Sequence, residues 1–67
     1  MYSQFGFSSK KQAHRCVRYC SNFGVVAEIL PYNRFYEGAA QVRVSNKFSY
    51  LVRDAFAPFI VSSLVEG

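Results

Sequence analysis

Apolar and polar residues alternate from Tyr2 to Phe7, with Phe5 and Phe7 on one side and Tyr2, Gln4 and Gly6 on the other, which predicts a short strand. Ser8 and Ser9 end the alternation, and the period then changes to that of a helix. At 100° per residue Ala13, Cys16, Val17, Cys20 and Phe23 gather on one face, while Lys10, Lys11, His14, Arg15 and Arg18 fall within about 140° on the opposite side. Ser9-Lys10-Lys11-Gln12 has the capping-box spacing that starts such a helix. Asn22 to Gly24 supply its stop, because Gly24 takes the left-handed closing conformation without a steric cost.

Val25 to Leu30 form a β-branched apolar run. From Gly38 to Val44, Ala40, Val42 and Val44 alternate with Gln41 and Arg43, so these two segments are expected to pair as a hairpin. The connection from Pro31 to Glu37 reads either as a long aromatic loop or as both strands continuing around an Asn33-Arg34 turn, since Pro31 suits an edge strand as well as a loop. Ser45 or Asn46 is placed to cap a second helix with Phe48, Leu51, Val52 and Ala55 inward and Phe56 at the margin, and Pro58 marks its exit. Phe59 to Val65 reads as the last strand. Residues 1–67 contain no repeat, biased tract or linker, and so read as a single domain.

Strand, helix, strand, strand, helix, strand in this order leaves few arrangements in which each helix covers a sheet face and the crossovers are right-handed. The expected fold is α+β, a ferredoxin-like βαββαβ unit: a four-stranded antiparallel sheet with two helices on one face and the first and third strands at its centre. The other sheet face is expected to be open and to carry Tyr2, Gln4, Gln41 and Arg43, flanked by Val26 and Leu30 or by Ile60 and Leu64. RNA-recognition domains share this topology and stack bases on aromatic side chains of their central strands. Here only Tyr2 is so placed, and Val42-Arg43-Val44 lacks their aromatic, glycine-rich pattern, so the likeness ends at the fold.

Composition explains how so short a chain holds a core. A chain of this size buries only roughly 60% of its unfolded surface. Seven Phe and five Tyr in a sequence that is 51% hydrophobic offset this, since each buried ring removes about 150–250 Å² from water. Eight Lys and Arg against four Asp and Glu give a net charge of +4, which favours nucleic acid or an acidic protein surface as partner. No stretch approaches the roughly 20 apolar residues of a membrane span, and the start lacks the pattern of a secretion signal. Two cysteines four apart in a helix do not favour a bridge, so free thiols and a cytoplasmic location are expected.

The basic helix face is the leading candidate site. Lys10 and Lys11 sit in the first turn, where the macrodipole disfavours cations by about 0.3–1 kcal/mol each. With His14, Arg15 and Arg18 further down, and Arg34 in support, they form a place for phosphate or carboxylate. Tyr32, Arg34, Phe35 and Tyr36 combine residue types enriched at protein-interface hot spots and form the second candidate. Cys16 and Cys20 read as core, because zinc normally needs four ligands and His14, the only histidine, points away from them. The same geometry keeps His14 from activating Cys16, and Glu28, Glu37, Asp54 and Glu66 form no evident acid–base pair.

The expected function is therefore a non-enzymatic module, without metal or cofactor, that binds nucleic-acid phosphate or another polyanion. The alternative is a protein-interaction module, a small regulatory or inhibitory accessory protein of the kind viruses encode. A homodimer through the open sheet face or an edge strand is expected from the scarcity of charge on the edge strands.

Overall fold

The computed structural model describes residues 1–30 and 39–66. Its strands are β1 (Tyr2–Phe7), β2 (Ala27–Leu30), β3 (Ala40–Ser45) and β4 (Ile60–Glu66); its helices are α1 (Lys10–Ser21) and α2 (Ser49–Phe56). The strands form one antiparallel sheet in the order β2-β3-β1-β4, and with the two helices this is the α+β ferredoxin-like βαββαβ arrangement. No helix among the described residues is long and apolar enough to cross a membrane.

The register explains which residues meet. Phe5 lies opposite Val42 and Phe7 opposite Ala40, and residues directly opposite in an antiparallel pair share a face. This face, with Val44, packs against Ala13, Cys16 and Cys20 of α1 and Val52 and Phe56 of α2. Phe5 and Phe7 are fully buried, each contributing about 1.5–3 kcal/mol relative to exposure.

Both ends of α1 follow the sequence pattern. The Gln12 backbone N–H donates to the Ser9 hydroxyl at 3.2 Å. At the other end Gly24 has φ +73°, and Val25 N–H donates to the Cys20 carbonyl at 3.0 Å. Phe23 departs from the pattern: it is 58% exposed, because the helix has ended and its ring lies against Tyr19 instead of the sheet.

The second helix begins later than expected and without a side-chain cap. Asn46–Phe48 form a 3-10 turn, and the Asn46 side-chain carbonyl accepts from the Ser3 hydroxyl at 2.6 Å, tying the turn to β1. Val52 is buried and Phe48 and Leu51 pack against the core as expected, whereas Ala55 is exposed and Phe56, expected at the margin, is core. A second 3-10 turn, Ala57–Phe59, contains Pro58 and delivers the chain to β4.

The outer face of the sheet carries Tyr2, Gln4, Gln41 and Arg43 as expected, flanked by Leu30 and Leu64; Ile60 instead lies opposite Phe7 on the helix side. Gln4 and Gln41 are nevertheless buried. Gln4 stands directly between Arg43 and Leu64, whose side chains flank it on both sides. Its side-chain carbonyl is buried without a hydrogen-bond partner among the described residues.

Candidate functional site

Lys10, Lys11, His14, Arg15 and Arg18 are all exposed on α1. The first turn holds no acidic residue, so the two lysines face the helix dipole unrelieved, whereas Arg18 in the last turn has it in its favour. Among the described residues the one ion pair is Arg43 with Glu28, at 2.9 Å. The four Lys and Arg of α1 therefore meet no carboxylate there. Arg34, and with it Tyr32, Phe35 and Tyr36, lies outside the described residues.

The structure separates the basic residues into two groups. Arg15 and Arg18 border a surface groove of about 510 Å³ between α1 and the end of α2, whereas Lys10, Lys11 and His14 do not line it. Gln12, Tyr19 and Asn22 complete the α1 side, which follows from helical spacing: Gln12, Arg15, Tyr19 and Asn22 share one flank. Phe56 and Phe59 form the opposite wall.

A chain of aromatic contacts ties this groove to the core. Phe7 meets Phe56 edge-on at 5.9 Å, Phe56 meets Tyr19 edge-on at 5.7 Å, and Tyr19 packs against Phe23 at 5.1 Å. Such contacts are worth about 0.5–1.5 kcal/mol each beyond area burial. They hold Tyr19 half-buried beside the exposed Arg15 and Arg18. The sequence pattern did not single out Tyr19, Phe56 and Phe59. Only the angular position of Tyr19, between the core and basic faces of α1, hinted at a boundary role.

Cys16 and Cys20 sit on the inner side of the same helix, fully buried, while His14 is exposed on the outer side. Burial, reinforced by the neighbouring Cys20 sulfur, pushes the Cys16 thiol up to about 12. Burial also raises Cys20, opposed by its hydrogen bond with Cys16. Since the thiolate is the nucleophile and metal ligand, both groups are held in the unreactive form at neutral pH. No three potential metal-ligating side chains cluster among the described residues.

On the outer sheet face Arg43 is occupied twice, by Glu28 and by the Tyr2 ring 5.0 Å from its guanidinium carbon. It lines a second groove of about 360 Å³ with Val26 and Phe48, where its charge is already matched. Of the exposed basic residues without a carboxylate partner among the described residues, Lys10, Lys11, Arg15 and Arg18 gather on α1, whereas Lys47 and Arg53 stand singly beside the Phe48 and Phe5 rings. In comparisons with known proteins, the chain matches no family model, no curated protein and no solved structure.

Proposed function

We propose that this protein is a non-enzymatic binding module that docks nucleic-acid phosphates, without strong sequence preference, on the outer face of α1. One observation carries the reading: Lys10, Lys11, Arg15 and Arg18 are exposed on a single helix face with no carboxylate partner among the described residues. Two of them stand in the first turn, where a bound anion relieves their repulsion from the helix dipole. The reading places the protein in the cytoplasm, where the free thiols stay reduced.

The test is the anisotropy of labelled mixed-sequence oligonucleotides between about 50 and 200 mM salt. Four phosphate contacts should lower affinity roughly 50- to 150-fold over that range. Replacing Lys10, Lys11, Arg15 and Arg18 together by Gln should keep the circular dichroism of the fold and remove the salt-sensitive binding. Affinity that is unchanged by salt, or by the four substitutions, would exclude the reading.

A protein-interaction module is the competing reading, favoured at one place. The β4 edge exposes Val61, Leu64 and Val65, and Ile60 to Val65 contain no charged residue, which fits strand addition by a second copy. A molar mass above that of one chain, measured on protein freed of nucleic acid by high salt, would support that contact.

A further inference from the structure

The groove beside the basic face has a composition that phosphate binding alone does not need. A phosphate site requires cations and N–H donors. This groove also offers Tyr19 and Phe59, both half-buried, above the nearly buried ring of Phe56, with the amide groups of Gln12 and Asn22 along its α1 side. The groove, of about 510 Å³, is shallow and opens widely to solvent, so a ligand lies along it and is not enclosed. We propose that the groove takes an unpaired base of a single-stranded nucleic acid against Tyr19 and Phe59, while Arg15 and Arg18 hold the adjoining phosphates. The inference rests on the proposed docking of nucleic acid on α1 and names the form of nucleic acid it takes.

Three physical points favour this ligand. A base has a flat apolar face for stacking and a polar edge for amide hydrogen bonds, which matches a groove with aromatic walls and two carboxamides. A duplex keeps its bases stacked inside, so it meets only the guanidinium groups at the border and leaves the aromatic walls in water. The charge also repeats beyond the groove. From Lys10 to Arg18 the helix rises about 12 Å, at about 1.5 Å per residue, which is longer than a single phosphate group. A ligand with one anionic group fills the groove but leaves Lys10, Lys11 and His14 unmatched; a strand continues onto them.

The experiment compares one labelled mixed-sequence oligonucleotide as a single strand and as a blunt duplex, with inorganic polyphosphate as a base-free competitor. Stacking of one base should make the single strand bind roughly 5- to 150-fold more tightly than the duplex at the same salt. Phe59→Leu, and separately Tyr19→Leu, should bring the single strand down towards the duplex while leaving the salt slope unchanged, because every cation remains. As a readout free of substitution, the Phe59 ring proton resonances should move upfield with the single strand and stay in place with polyphosphate.

Equal, salt-sensitive binding of single strand and duplex would overturn the base-binding groove and leave the basic face standing. The absence of salt-sensitive binding to any of the three would overturn both. An acidic peptide that binds more tightly than the strand, and loses that binding in Phe59→Leu, would overturn the inference by assigning the groove to a protein partner.

Discussion

On the outer face of the sheet Arg43 donates to Glu28 at 2.9 Å and lies over the Tyr2 ring, whereas on the outer flank of α1 Arg15 and Arg18 meet no carboxylate among the described residues. Both surfaces are polar, and both adjoin a groove. They differ in whether charge is matched within the chain. A matched guanidinium must surrender its partner before it can serve another anion; an unmatched one gives up only water and counterions. A count of basic residues, which treats Arg43 and Arg15 alike, misses this difference.

Removing the charges one surface at a time separates the two arginine environments most directly. Arg15→Gln combined with Arg18→Gln should lower oligonucleotide affinity at least about tenfold at low salt and reduce the salt slope by about two phosphate contacts. Arg43→Gln, already neutralised by Glu28, should change affinity less than about twofold. Anisotropy titrations of the two variants side by side check this, and equal losses would erase the distinction between the surfaces.

The inner side of α1 supplies a pH-dependent contrast with its outer side. In the unfolded chain the Cys16 thiol ionises from about its ordinary value of 9.0, whereas in the fold it stays protonated up to about 12. The folded state therefore holds more protons across that window. The contribution is intact below pH 9 and is lost progressively as pH rises towards 12, by about 1 kcal/mol at pH 10. Urea denaturation at pH 7 and pH 10 should show a larger alkaline loss for the native chain than for Cys16→Ala, which lacks the titrating group.

On the sheet face, the smallest expected effect comes from the unsatisfied Gln4 carbonyl. Gln4→Leu removes the buried acceptor at similar volume and should stabilise the fold by up to about 1 kcal/mol in denaturant titration. It should leave oligonucleotide affinity unchanged. A loss of stability would mean that the carbonyl is matched after all.

Particular elements show why some of this was legible in the sequence. The two faces of α1 are written in residues three and four apart, so helix geometry alone separated Cys16 and Cys20 from Arg15 and Arg18. Ser9 and Gly24 marked its ends for equally local reasons, a hydroxyl that accepts from the first turn and a residue free to adopt positive φ. The β1 alternation likewise fixed which side of the strand Phe5 and Phe7 face. The start of α2 was not legible, because Asn46 fits a cap as well as it fits the Ser3 hydrogen bond it actually makes, and that choice is made by a strand 43 residues away.

The sequence by itself determined the order of elements, the ferredoxin-like arrangement they permit, and the opposition of a thiol-bearing core face and a basic outer face on α1. Those properties depend on periodicity and local backbone preference. Tertiary structure alone decided that Phe56 turns inward, that Gln4 is buried between Arg43 and Leu64, and that Phe56 and Phe59 close a groove against Tyr19 and the two arginines. Each brings together residues distant in the chain, and such contacts are set by register and helix docking, which no local pattern encodes.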